Sequence, residues 1–547
     1  MAQSSPPGNV EAHIQGQISG QVAVGNYNVQ IGSVHGGVVN VVAPERQTRP
    51  RPIPTPVFLR PRPFPDLLDR AAEINAVAAA LQSALPIEFC GQGGTGKTTL
   101  LRHLAHQPPD VPFPDGVLYL SARRQPLADL LQSLFDAFYE SDIPFKPKDA
   151  QIRRALQSKH ALIMLDDVEL SRDEVETLMD TAPGCIFLLA SSERCLWGEG
   201  RAVTLRGLPP DDALALIERE LGRPLTPEER PAAQALCTAL ERHPLRLLQA
   251  VALAREEGLS LTEVARRTQT PSPTNALTTQ VLASLSESEQ RVLAALAALG
   301  DVPLNTEHLA ALAGLADVVP TLETLMRHGL VQTHSPRYSL AGALGEDLQQ
   351  MWDLTPWAER ALTHFTTWAE RHRSATDRLL EEADAILRVL EWAAGTGRWA
   401  EVLRLGRAVQ DGLALSRRWG AWDQVLQWVL QAARALGDRA AEAWALHQGG
   451  TRALCLGDGA TAHASLTQAL HMRDSLGDQA GAAVTRHNLD LLLAPPPPPR
   501  RPPEPPSGPT PVGGAVPGVS GLLKGALISL AILLVAAGGL GIWYFWL

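Results

Sequence analysis

The chain has 547 residues, with 58 acidic against 48 basic side chains and a formal net charge of −10. Such a length exceeds what one hydrophobic core serves and implies roughly three to four domains, while the acidic balance excludes a global basic field that would draw the chain to nucleic acid. The five cysteines, Cys90, Cys185, Cys195, Cys237 and Cys455, are scattered without a C-x-x-C pair, which fits a reduced, cytosolic setting, and residues 1–9 show no secretory signal.

Residues 1–43 form the first segment. From 11 to 42 Val, Ile, Asn, Gln and Gly dominate, with apolar alternation at Val22/Val24 and Val29/Ile31, no proline and almost no charge. This composition favours stacked strands with Asn and Gln ladders; a disordered glycine-rich arm or one small hairpin is the alternative. Val29-Gln30-Ile31-Gly32, preceded by Gly25-Asn26-Tyr27-Asn28, resembles the core of RHIM-type amyloid signalling motifs, including bacterial ones at the N-termini of NLR-like proteins. The resemblance implies an effector partner that shares the motif. Residues 44–65, rich in proline and arginine, are expected to be an extended, semi-rigid spacer.

Residues 66–205 read as a nucleotide-binding domain. A helix over 66–85 precedes the short apolar run 86–90, and Gly91-Gln92-Gly93-Gly94-Thr95-Gly96-Lys97-Thr98-Thr99 then follows the pattern G-x-x-x-x-G-K-[ST]. Glycines let backbone N–H groups turn around a phosphate, and the helix that follows adds its positive N-terminal end. Lys97 is expected to reach the β- and γ-phosphates of ATP or ADP, and the Thr98 hydroxyl to ligate Mg²⁺. Further strands are expected at 117–120, 161–165 and 185–190. The run Ala161-Leu162-Ile163-Met164-Leu165 ends in Asp166 and Asp167, at the strand end where α/β sheets place ligands. Asp166 is expected in the Mg²⁺ shell, and Asp167 as the group that orients or deprotonates the attacking water. Arg194, after the strand at 185–190, is a candidate γ-phosphate sensor because a guanidinium reads phosphate bidentately.

Residues 206–275 read as a helical lid. Residues 276–350 carry a capping box at Ser286/Glu289, three helical stretches and a hairpin around Ser335-Pro336. The order G-Q-G-G-T-G-K-T-T, L-I-M-L-D-D-V, F-L-L-A-S-S-E-R, L-R-G-L-P-P-D-D-A and H-P-L-R-L resembles the NB-ARC module of STAND ATPases over roughly 66–350. The resemblance implies a winged helix at 276–350 and a proline, Pro244, packed against adenine. Two departures stand out. Arg194 lies one position later than the family's sensor arginine, and Ala341 stands where many members have a histidine that contacts the ADP β-phosphate.

Residues 351–493 are rich in Ala, Leu, Arg and Trp with helical periodicity, and Ala435-Leu436-Gly437-Asp438 is echoed at 475–478. A solenoid of tetratricopeptide-like helix pairs is expected, with its concave surface open to a ligand or protein partner. Residues 494–521 form a proline-rich linker. Residues 522–547, with no charge after Lys524, are expected to be a transmembrane helix that anchors the chain in a bilayer, its bulk on the cytoplasmic side.

The expected fold class is thus an α/β P-loop NTPase with a parallel sheet, followed by all-α helical and winged-helix subdomains, an α-solenoid and a C-terminal transmembrane helix. The expected function is an NLR-like signalling switch, membrane tail-anchored, with slow ATP hydrolysis and self-association under ADP/ATP control. The alternatives are a P-loop/tetratricopeptide transcription regulator and a membrane scaffold with a degenerate ATPase. Against the regulator, the third helix of the 276–350 block offers only Arg327 and His328 as basic groups, too few to neutralise a phosphate backbone.

Overall fold

The computed structural model describes the backbone of residues 18–24, 27–32 and 38–42, and residues 49–493 apart from 64–66, 69, 110, 199, 269–278, 280, 284, 301, 334–335 and 343. In chain order the strands are β1 (Ile18–Val24), β2 (Tyr27–Gly32), β3 (Val38–Val42), β4 (Arg51–Pro52), β5 (Val57–Leu59), β6 (Ile87–Cys90), β7 (Gly116–Ser121), β8 (Tyr139–Glu140), β9 (Phe145–Lys146), β10 (Ala161–Val168), β11 (Ile186–Ser191), β12 (Arg201–Thr204), β13 (Val331–Thr333) and β14 (Tyr338–Leu340).

A six-stranded parallel sheet runs in the order β12-β6-β11-β10-β7-β5. Strand β10 is apolar from Ala161 to Leu165 because helices cover both sheet faces. On one face Leu162 and Met164 meet Val77 and Leu81 of helix Ala71–Gln82 and Leu100 and Leu104 of helix Lys97–His106. On the other, Ile163 and Leu165 pack with Leu130 and Leu134 of helix Leu127–Phe138 and with Val175 and Leu178 of helix Arg172–Thr181. The stretch expected as a spacer supplies the edge strand β5, where the nearby prolines remove no hydrogen bond that a central strand would need. Two further backbone carbonyls of that stretch, at Pro61 and Arg62, meet His106 and Arg102.

Beyond the sheet the described chain is helical around one continuous core that reaches from Leu208 to Ala462. Helices Glu287–Ala298, Thr306–Ala313 and Val319–Arg327 are followed by the antiparallel hairpin β13–β14. Then come the helix pairs of the solenoid. Helices Trp399–Leu415, Arg439–Leu456 and Gln479–Leu493 form one layer, and Trp419–Leu436 and Gly459–Leu476 the other. The turns repeat every 20 residues as Leu-Gly-Asp: Gly437, Gly457 and Gly477 take the left-handed conformation that ends one helix. Asp438, Asp458 and Asp478 then accept from the N–H groups of Ala441, Thr461 and Gly481 at the start of the next.

The expected transmembrane helix is corrected. Among the described residues no helix is long and apolar enough to cross a membrane, and residues 494–547, where the span and its linker were placed, lie outside the described residues. The longest described helices have 18 residues but carry charges along their length, such as Arg439, Glu442 and Arg452 in one of them, each costing about 2.5–3.5 kcal/mol at a bilayer centre. The fold class is a parallel-sheet P-loop NTPase followed by a helical solenoid, and the expected membrane location, with the bilayer as a partner, falls with the anchor.

The solenoid is docked on the six-stranded sheet layer through a buried carboxylate. Asp129, on helix Leu127–Phe138, accepts the N–H groups of Gly420 and Ala421 at 2.7 and 2.8 Å, and so caps helix Trp419–Leu436 across the interface. Gly420 is required there, since a Cβ would lie 2.6 Å from Pro126 Cβ. Arg417 adds an ion pair to Asp136 at 3.0 Å. Burial pushes the Asp129 carboxyl above its usual range, and the two N–H donors oppose that push. Replacement of Asp129 by Ala is expected to cost about 1–3 kcal/mol and to split the thermal unfolding of the chain into two calorimetric transitions as the solenoid comes loose.

Candidate functional site

The turn between β6 and helix Lys97–His106 closes as the glycine pattern requires. Gly94 and Gly96 have φ of 85° and 96°, a region that favours glycine. Lys97 bends under the turn and donates to the carbonyls of Gly91 at 2.5 Å and Gln92 at 3.0 Å. Its ammonium is held below the usual lysine range by burial, against the pull of Asp167 and Asp166.

Asp166 and Asp167 end β10 and have different partners. Asp166 accepts from the Thr98 hydroxyl at 3.1 Å and from the Tyr119 hydroxyl at 2.5 Å. Burial, and then the neighbouring Asp167, push its carboxyl upward. Asp167 has a left-handed φ of 54°, which turns its carboxylate toward the Arg123 guanidinium, 2.5 Å from Nη2 and 3.0 Å from Nε. Arg123 was not anticipated from the sequence. It follows β7, the neighbour of β10, so the rule that ligands gather at the carboxyl ends of parallel strands would have flagged it.

These groups border a cavity of about 410 Å³, large enough for a small-molecule ligand. Gly93, Gly94, Thr95, Gly96, Lys97, Thr98 and Thr99 form one wall, with Arg123 and Asp167 beside them. Pro244 lines the apolar end with Leu67, Leu208 and Leu216. Gln92 borders a neighbouring cavity together with Gly93 and Ala341, and Gly91 contributes its carbonyl to Lys97. Asp166 sits behind Thr98, 4% exposed. Arg194 is not brought to the cavity: its Nε donates to the Leu196 carbonyl and its guanidinium lies 4.2 Å over the Trp197 ring. The buried Glu88 carboxylate fixes that loop by accepting from Ser191, from the Cys195 N–H and from the Leu196 N–H. The fit to a phosphate-bearing ligand rests on this cradle: glycine amides, a helix N-terminus and Lys97 on one side, with the Thr98–Asp166 oxygens available to a hard cation.

The hairpin closes the cavity. Gln332, Ser339, Leu340 and Gly342 line it, and Gly342, with φ of 59°, packs so closely on Leu245 that a Cβ would lie 2.2 Å from its Cδ2, while the same Cβ would be in ordinary contact with the P-loop, 3.5 Å from Gly94 Cα. Ala341 is buried, its N–H bonded to the Leu330 carbonyl. His243, 6% exposed, binds the Gly93 carbonyl through Nε2 at 3.1 Å, so that nitrogen carries the proton.

Gly342→Val is expected to push the hairpin off the P-loop and to speed release of a fluorescent nucleotide about tenfold or more, read by stopped flow, given strain of roughly 1–3 kcal/mol at such a position. The second prediction concerns pH. Burial lowers the His243 pKa from 6.5 to about 4, so as pH falls through that window the unfolded chain takes up a proton that the folded chain refuses. Stability therefore falls from pH 6.5 toward 4, and His243→Gln is expected to flatten that dependence in denaturant titrations.

Residues 71–222 match the NB-ARC domain family. The chain is 30% identical over 226 residues to the regulatory protein AfsR of Streptomyces griseus, a match that covers 38% of this chain and 23% of that protein. It is 31% identical over 201 residues to AfsR of Streptomyces coelicolor, with 32% and 20% covered. The chain thus spans about a quarter or less of the curated relatives it matches. Among solved structures it is similar to a Signal Transduction ATPase with Numerous Domains with a tetratricopeptide repeat sensor from Pyrococcus horikoshii. That likeness has a TM-score of 0.41 and 16% identity over 81% of this chain and 82% of that one. A Walker-type ATPase of Pyrococcus abyssi gives a TM-score of 0.28 and 15% identity over 53% and 98%.

Proposed function

We propose that this chain, which carries an NB-ARC domain at 71–222, is a signalling switch whose resting, closed form holds ADP and whose ATP-bound form self-associates. The observation that carries the reading is the closure of the P-loop cavity by a distant part of the chain, at Gly342. A ligand that fits the closed cavity differently from the open one shifts the balance between them. Lys97 would bind the β- and γ-phosphates, Pro244 would pack on the base, and Thr98 with Asp166 would hold Mg²⁺. The bound cation would neutralise phosphate charge.

Asp167 is the candidate for orienting an attacking water. In the closed form it is tied to Arg123, so slow hydrolysis fits a carboxylate that must first be released. Arg123, which lines the cavity, is better placed than Arg194 to read the γ-phosphate. Activation through the solenoid would bring several arms together, and the motif Val29-Gln30-Ile31-Gly32 would then recruit a partner with a similar motif, favoured by high local concentration.

A transcription regulator is the second reading, favoured by the likeness to AfsR. Direct DNA contact by the third helix of the 276–350 block is poorly served, because Arg327 pairs with Glu256 and His328 is buried. Lys97→Ala is expected to abolish co-purifying nucleotide and the ATP-dependent rise in mass measured by light scattering. ATP-dependent assembly that persists in this variant overturns the switch.

A further inference from the structure

The solenoid's inner layer is covered by the chain's own N-terminal strands. Strand β3 packs against helices Arg439–Leu456 and Gln479–Leu493, and β1 and β2 pack against helix Trp399–Leu415. The strands form one sheet in the order β3-β2-β1-β9. The last of these belongs to the nucleotide-binding part, where Ala23 and Val24 pair in parallel with Phe145 and Lys146. The arm is thus held at two places, on an edge strand beside helix Leu127–Phe138 and on the inner face of the solenoid.

Both partners carry uncharged polar residues. Residues 18–42 contain no Asp, Glu, Lys or Arg and are rich in Asn, Gln and Gly. Helices Arg439–Leu456 and Gln479–Leu493 bury His447, Gln448, Thr451, Thr485 and Asn488, each 0% exposed. These are amide, hydroxyl and imidazole groups, with Asn488 donating to Thr451 at 2.9 Å and His447 meeting Thr485 at 3.2 Å.

We infer that the inner face of helices Trp399–Leu415, Arg439–Leu456 and Gln479–Leu493 is a binding site for the chain's own strands β1, β2 and β3, and that docking there withholds the Val29–Gly32 motif from other chains. The motif lies in β2, the strand between β1 and β3. Val29 faces Val22 on one side and Val41 on the other, and Gln30 faces Gln21 and Asn40. Both backbone edges of the motif are therefore engaged within the chain, and pairing with a second chain requires the sheet to open first. A molecule that activates the solenoid would compete with the arm for this face. That last consequence rests on the switch reading; the docking itself does not.

Hydrogen–deuterium exchange on the full chain tests the docking. Amides of strands β1, β2 and β3 are expected to exchange at least about tenfold more slowly than in a free peptide of residues 11–42. Asn488→Arg, which sets a charge into the inner face, is expected to bring them to the peptide's rate while helices Lys97–His106 and Leu127–Phe138 keep their protection. Ala23→Pro lies in the arm and leaves the solenoid sequence intact; it is expected to deprotect these strands and the Phe145 amide without changing exchange in helix Gly459–Leu476. Arm amides that exchange at the peptide's rate in the native chain overturn the inference, and so does protection of these strands that survives both substitutions. The measurement reads the arm directly and without nucleotide, so this inference and the switch fail separately.

Discussion

The cap that Asp129 places on helix Trp419–Leu436 is the constraint from which the arrangement of this chain follows. A carboxylate buried without partners costs several kcal/mol, and here two backbone N–H groups and a helix N-terminus supply what water would have given. Because those donors belong to the solenoid, the carboxylate is satisfied only when the solenoid is docked. Lys146 lies in the same region, its pKa lowered to about 8 by burial, with Asp129 pulling the other way. It belongs to β9, so the docking contact and the strand that receives the arm share one neighbourhood.

A second contact joins the solenoid to the cavity from the other direction. Arg337, beside β14, forks onto Glu382 at 2.7 and 2.9 Å, and Asn305 donates to the same carboxylate at 3.0 Å. Glu382 is 3% exposed and sits where the first solenoid helices begin. The hairpin that covers the P-loop is thereby pinned to the solenoid. A displacement of the solenoid bears on the cavity through Arg337 and Gly342, and on the sheet through Asp129. Such contacts have two discrete states, paired or broken, so that a small displacement at one end registers as a discrete change at the other.

Much of the P-loop cavity's lining was legible in the sequence because its chemistry is local. The P-loop glycines, Lys97 and Thr98 are consecutive, and the turn they form depends on their own backbone freedom. Asp166 and Asp167 end an apolar run whose burial is written in its composition. Arg123 was missed because its role depends on β7 lying beside β10, a pairing across 45 residues that no local pattern reports. Arg194 was overvalued for the same reason: its direction is set by the buried Glu88, on a strand more than 100 residues earlier. The helix-pair repeat was half seen. The echo at 40 residues was noted, while Leu456-Gly457-Asp458 between the two shows that the period of the turn is 20.

The sequence by itself determined that a phosphate-binding turn, a parallel sheet and a run of helix pairs exist, since each is specified by residues near one another or by a short repeat. It also marked residues 11–42 as strand-forming and almost without charge. Only the tertiary structure decided where those strands go, that Val57–Leu59 closes the sheet edge, and that Gly342 comes to the P-loop from almost 250 residues away. The reason is that register, docking and closure are set by which surfaces meet. A strand-forming segment has two backbone edges whatever its sequence; β2 finds both partners within the arm, whereas the partner of β1 on its other edge, β9, is more than 100 residues away and is supplied only by the folded chain.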